Sequence, residues 1–319
     1  MSVATPGAHT VAGSASPGNR RPAEADRRKP HRLRPQGYTW ILPAFVISVG
    51  LIYYAVGYTG YMSTLKWNGT SPTSTSVGAA NYVQAFGDPI FWKAMRNAAI
   101  AFVFTFVLQT GLGFVFAAML HSRPIAGNVY KVVLFLPVVL APAITAPVFR
   151  QIFAADGQLN QLLSAIGLDG IAQPWLAQPS TALWAVLVIM VWHGTGLAVI
   201  LYFAAMSQID TEMLEAAEVD GAGNMRKLFS IILPNVKGTT IALATLTAIG
   251  VLKIFDIPYL VTVGGPNFAT EFLGIMIYRT SILLGQVGYA SAISILMLVL
   301  AIAMGLILNV RRHRDGKGA

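Results

Sequence analysis

Glu215–Pro234 reads EAAEVDGAGNMRKLFSIILP and lies between two long apolar runs. Three acids, Glu215, Glu218 and Asp220, precede the basic pair Arg226–Lys227. The segment predicts two short helices. Asp210 is placed to cap the first, over 211–219, with Glu212 in its first turn, where the positive end of the helix dipole favours an acid. Gly221 and Gly223 permit a sharp turn. Asn224 is placed to cap the second helix. There Met225, Leu228, Phe229 and Ile232 recur at i, i+3, i+4 and i+7, so they share a face, with Arg226 and Lys227 turned away. Pro234 ends or kinks that helix as the chain re-enters an apolar run. Such a helix–turn–helix is either a solvated loop or a platform offered to a partner.

Composition says what lies on either side of it. Of the 319 residues, 55% are hydrophobic and 11% charged, against about 25% charged in ordinary soluble domains. A soluble chain this apolar cannot cover its surface with polar groups. The net charge is +9, but Lys and Arg sit between and beside apolar runs, which fits a bilayer and gives no reason to expect nucleic acid. Cysteine is absent. That excludes disulfides, thiolate metal sites and thiol catalysis.

Outward from the platform the chain reads as six membrane spans. Residues 1–36 are Ala/Pro/Gly/Ser-rich and then basic, the composition of a disordered tail. The first span falls within 37–65, with its apolar run at 40–62 too long for a signal-peptide core and Tyr38 and Trp40 at the interface. A polar loop, 66–92, follows. Further spans are predicted near 94–120, 132–152, 181–206, 236–257 and 287–310, with a basic tail at 311–319. The third contains Pro137, Pro142 and Pro147. A short amphipathic helix is expected between the third and fourth. With the N-terminus inside, the tail, the His121 loop, the platform and the C-terminus share the cytoplasmic side. Those segments hold 16 of the 22 Lys and Arg residues, so the positive-inside rule supports both count and orientation.

The pattern Glu215-Ala216-Ala217, then Asp220-Gly221, Ile231 and Leu233-Pro234 resembles the EAA loop of ABC importer permeases. Trp67-Asn68-Gly69, Asn81-Tyr82, Asp88–Trp92, Arg96-Asn97, Gly264-Gly265-Pro266 and Gly288–Ala292 resemble the carbohydrate-uptake branch over about residues 38–310. The likeness is to the first permease of a pair, of the glycerol-phosphate and oligosaccharide type. It implies an all-α membrane protein in the cell (inner) membrane: one N-terminal span plus a five-helix permease core, 93–310, with the coupling loop at 207–235. In that family the loop docks an ATP-hydrolysing subunit. The implied partners are a second homologous permease chain, two ATP-binding subunits and an external sugar-binding protein. ATP and Mg are then expected in the ATPase, since this sequence has no GxxxxGK[ST]. The coupling residues implied are Glu215, Ala216, Ala217, Asp220, Gly221, Ile231, Leu233 and Pro234. The expected role is a transport subunit and not an enzyme.

A solute path should combine aromatic faces with a few polar groups. Trp192, His193 and Thr195, with Gly194 and Gly196, supply such a set in the fourth span. Asn97 and Gln109 in the second span add polar contacts, and Asp256 and Tyr259 fit its outer mouth. The same residues also fit plain packing between helices, with His193 bonded to a neighbouring backbone. Three prolines in one span free carbonyls, which suits either a helix lining the path or an ordinary kinked helix. Two further classes compete. A secondary transporter usually carries ionisable groups deep in its spans, and here His193 is the main one. A membrane enzyme needs clustered acid/base or metal groups, and the five histidines are scattered. Within the ABC class, a permease for an amino acid, peptide or phosphate is the nearer alternative.

Overall fold

The computed structural model describes residues 36–122 and 127–315. The basic N-terminal tail, Arg123 and Pro124 of the second loop, and the last four residues lie outside the described residues. The chain divides into two units, 1–51 and 52–319. The described part of the first is the opening of helix α1 (Gln36–Met62). The second unit holds everything else.

After α1 come a two-stranded hairpin, β1 (Leu65–Lys66) and β2 (Thr75–Ser76), then α2 (Ala80–Gly87) and the 34-residue α3 (Pro89–Ser122). Helix α4 (Gly127–Val139) and α5 (Pro142–Ile152) are followed by short α6 (Gln158–Ala165) and 28-residue α7 (Pro179–Met206). The platform holds α8 (Thr211–Val219), α9 (Asn224–Lys227), a π turn (Leu228–Ile232) and α10 (Leu233–Asn235). Then follow α11 (Lys237–Leu252), α12 (Asp256–Thr262), α13 (Leu273–Tyr278) and α14 (Val287–Asp315).

Among the described residues, four helices are long and apolar enough to cross a bilayer, and six spans result if each of two bent pairs counts as one. Helix α7 is apolar on every side and buried along most of its length, the pattern of a helix at the centre of a bundle. Two clusters of buried side chains lie along it. Phe91, Ala98, Val186, Phe272 and Ile293 belong to the first; Phe114, Tyr202, Met206, Val236 and Leu243 belong to the second. Helices α3 and α7 therefore run parallel, from the first cluster to the second, and pack directly on each other, while α11 runs back against α3 and α14. The hairpin and the start of α14 lie at the first end, and the platform at the second.

Several expectations are corrected. The third span is not one helix: α4 and α5 meet at 94°. Pro142 cannot donate to the ladder, so the helix stops before it and restarts with Pro142 in its first turn. The fifth span ends at Leu252, short of Ile257, and α12 begins separately. Between it and the sixth, the 273–283 stretch, to which the sequence reading assigns no element, forms α13 and a second π turn, with Leu273, Ile275 and Met276 in the core. Eleven residues span about 16 Å, too short to cross. The last helix also continues past 310 to Asp315.

Candidate functional site

The platform forms largely as its residues dictate. The Asp210 carboxylate accepts from the Glu212 N–H at 3.0 Å, capping α8. At the other end the Ala222 N–H donates to the Ala217 carbonyl at 2.8 Å and the Gly221 N–H to that of Glu218 at 2.9 Å. Gly221 has φ +76°. This is a Schellman closure, in which the residue after the cap adopts the left-handed conformation that glycine enters without strain. The second helix's cap differs: Gly223 occupies it, and Asn224 is the first helical residue. So does the apolar stripe. Leu228 and Ile232 pack on the second core cluster, whereas Met225 and Phe229 stay exposed. Pro234 lacks an N–H and crowds the turn before it. That turn opens to π geometry, with the Leu233 N–H reaching back to Leu228, and so changes the helical register the stripe assumed. The break itself falls at Val236, where the chain bends by 63° into α11.

Glu215 and Ala216 are exposed on α8. Ala217, Asp220 and Ile231 line one hollow of about 200 Å³. Leu233 and Pro234 lie exposed beyond the π turn. Lys227 folds back onto Glu218 as an ion pair at 2.5 Å, so it does not turn away into solvent as read. Around this frame Met213, Val219, Met225 and Phe229 expose apolar side chains. Val219 lies within about 100° of Glu215 and Ala216 around α8, whereas Met213 lies on another side and lines a separate hollow with Leu201 and Asn235.

The path residues are partly brought together. Gln109 donates its amide N–H to the Met190 carbonyl at 2.9 Å, and a Cβ at Gly194 would strike that amide. A Cβ at Gly196 would strike the backbone of α4 near Leu134. What these glycines admit in this structure is a neighbouring helix. The Thr195 hydroxyl donates to its own helix at Val191, 2.6 Å away. Trp192 packs edge-on against Phe149, centroids 5.0 Å apart. His193 Nε2 lies 3.3 Å from the Leu140 carbonyl, one of the acceptors released by the α4–α5 break. Asn97 goes elsewhere: wholly buried, it donates to the carbonyls of Ala269 at 3.0 Å and Glu271 at 2.9 Å.

Asp256 and Tyr259 open α12, where sequence reasoning missed their neighbours. Phe255 stacks on Tyr259 at 4.7 Å, and Tyr278 of α13 closes the trio at 5.4 and 5.1 Å. All three rings are half-buried, and Lys253 and Asp256 are exposed beside them. Phe255 and Tyr259 sit at i and i+4, a spacing that would have flagged the pair. Tyr278 carried no signal.

The loop from α12 to α13 holds a buried ion pair that also escaped notice. Glu271 is 0% exposed; Arg279 Nη1 donates to its Oε2 at 3.0 Å, with Nη2 2.9 Å from Oε1. Burial pushes the Glu271 carboxyl up to about 7, Arg279 pulling the other way. Arg279 also lies 4.5 Å over the Phe268 ring, and the Lys93 ammonium donates to the Asn267 carbonyl at 2.6 Å.

The family described as "Binding-protein-dependent transport system inner membrane component" matches residues 109–314. The chain is 34% identical to the probable ABC transporter permease protein YurN of Bacillus subtilis, over 88% of this chain and 96% of that one. It is 31% identical to the trehalose/maltose transport system permease protein MalF of Thermococcus litoralis, over 89% and 96%. A chain of a bacterial ABC transporter involved in import of the acidic polysaccharide alginate has the same fold. Its TM-score is 0.75 at 22% identity, over 88% of this chain and 95% of that chain.

Proposed function

This chain belongs to the binding-protein-dependent transport system inner membrane component family, and we propose that it is a permease subunit of an ABC importer for a sugar or sugar derivative. The observation that carries the coupling role is the α8 platform. A capped, Schellman-closed helix presents Glu215, Ala216 and Val219 to solvent on one side. Glu215 offers a carboxylate to a basic group of the ATPase, and Ala216 lets the partner approach closely. The sugar class rests on the trehalose/maltose relative and on the trio Phe255, Tyr259 and Tyr278. Its ring faces and phenols, beside Asp256 and Lys253, suit a ligand with apolar faces and many hydroxyls.

The partners are a second homologous permease, two ATP-binding subunits that hold ATP and Mg²⁺, and an external sugar-binding protein. The N- and C-termini and the platform face the cytoplasm, and the hairpin end faces outward. Residues 93–310 form the permease core. ATP binding closes the nucleotide-binding subunits, the docked platforms move with them, and the two permeases rock to open the path outward. The driving free energy is ATP's differential affinity for the two states of its own subunits. This chain supplies a lever and half the path.

The test is uptake and ATP hydrolysis by the reconstituted transporter. Glu215→Lys should leave the chain in the membrane and lower capture of the ATPase or its coupling to uptake. Phe255→Ala with Tyr259→Ala should lower uptake at saturating binding protein while ATPase capture persists. Normal uptake in both variants would refute the assignment.

A further inference from the structure

At the end of the bundle opposite the platform, the β1–β2 hairpin, α2 and the first turn of α14 enclose a pocket of about 580 Å³. That is within the range of small-molecule sites, and no residue assigned to the path lines it.

Its walls are locked in place. Asn81 is buried and its amide donates to the carbonyls of Ser63 at 2.8 Å and Leu65 at 2.9 Å, fixing the hairpin to α2. Gly288 approaches β1 so closely that any Cβ would collide with the Leu65 carbonyl, and its N–H donates to the Trp67 carbonyl at 3.2 Å. The loop is closed by Trp67 Nε1 donating to the Ser71 carbonyl and by Asn68 Oδ1 accepting from the N–H groups of Thr70 and Ser71. The Tyr289 hydroxyl donates to Asp88 at 2.9 Å.

The side chains left over are of another kind. Among the described residues, the Lys66 ammonium and the side-chain amides of Gln84 and Gln286 make no hydrogen bond or ion pair, and all three line the pocket with their side chains exposed. The half-buried Trp67 indole lies beside them, and no Asp or Glu lines the space. Two free amides, each both donor and acceptor, suit adjacent hydroxyls. An indole suits the apolar face of a ring. One unpaired cation without a neighbouring anion favours a negative substituent. We infer that this pocket is an accessory site for an acidic saccharide, separate from the path.

The test is saturation-transfer NMR on the full-length chain in amine-oxide micelles, which contain no sugar headgroups. Digalacturonate is the probe and maltose the neutral comparator. Transfer to digalacturonate is expected. It should be lost in the surface double variant Gln84→Ala/Gln286→Ala, which leaves every wall bond in place. Lys66→Gln should raise the Kd for digalacturonate about tenfold, the scale of one charge-assisted hydrogen bond, and leave maltose unchanged. No transfer to either sugar overturns the inference, and so does transfer that survives the double variant. A double variant that keeps transfer but loses capture of an external binding protein makes the pocket a protein-docking patch, and also overturns it. None of these outcomes depends on uptake through the Phe255–Tyr259 region.

Discussion

Replacing Gly221 with alanine isolates the torsional requirement of the platform. The residue sits at φ +76°, and an added Cβ meets nothing within 4 Å. The cost is therefore conformational and not steric. A left-handed L-residue costs roughly 1–2 kcal/mol, offset by about 0.4–1 kcal/mol because alanine restricts the unfolded chain more than glycine does. The net is roughly 1 kcal/mol, about fivefold in the population with an open turn. Gly223 provides the control. It lies two residues on, with φ −66° and equally open surroundings, so Gly223→Ala should cost nothing. Gly221→Asn should recover part of the loss, because asparagine tolerates this conformation. The assay is amide hydrogen exchange over residues 211–222 in the purified chain, paired with ATP-coupled uptake in the assembled transporter. Gly221→Ala should speed exchange of the Gly221 and Ala222 amides about fivefold and weaken coupling. Equal exchange in Gly221→Ala and Gly223→Ala would refute the reasoning.

Three other outcomes are expected. Because the chain has no cysteine, Ser74→Cys should react with an impermeant thiol reagent only from outside and Ser207→Cys only from inside; labelling on the opposite sides overturns the orientation. His193→Leu should destabilise by about 1–3 kcal/mol by stranding the Leu140 carbonyl, and His193→Gln, which keeps a donor, by less; equal denaturation midpoints would dismiss that bond. The Glu271 carboxyl, raised from 4.5 to about 7, binds its proton more tightly folded than unfolded. Its contribution is present below about pH 4.5 and lost as pH rises toward 7, so thermal stability should fall more steeply across that window in the wild type than in Glu271→Gln, and equal slopes would dismiss the shift.

How much was legible follows from where each signal resides. The ends of α8 were legible because capping is local. Asp210 bonds a backbone group two residues away, and Gly221 needs only its own φ. The long helices were legible because bilayer thickness fixes how many apolar residues a span needs. Partner choice was not local. Asn97 was placed at the path for its polar amide, yet its acceptors are 172 and 174 residues distant. Nothing in the sequence around Glu271 marks its partner, and only the folded loop brings Arg279 against it. Composition over 273–283 was too short for a span and too apolar for a loop. It becomes intelligible only once the core beneath it exists.

The half-correct stripe in the platform shows why one misread turn matters to the mechanism. An ideal helix would bury Met225, Leu228, Phe229 and Ile232 together and leave a charged face outward. The π turn before Pro234 divides them. Leu228 and Ile232 reach into the cluster with Tyr202, Met206 and Val236, and Tyr202 in turn holds Thr240 of α11 at 2.8 Å. Met225 and Phe229 remain outside with Met213 and Val219. One short segment thus has two apolar sides, one joined to the ends of α7 and α11 and the other free for a partner. A solvated loop has no use for the second side, and a loop that only docked would not need the first. In the coupling role proposed above, displacement of α8 by a docked ATPase would be carried through the Gly221 turn and the Lys227–Glu218 pair into Leu228 and Ile232, which pack against the end of the central helix α7.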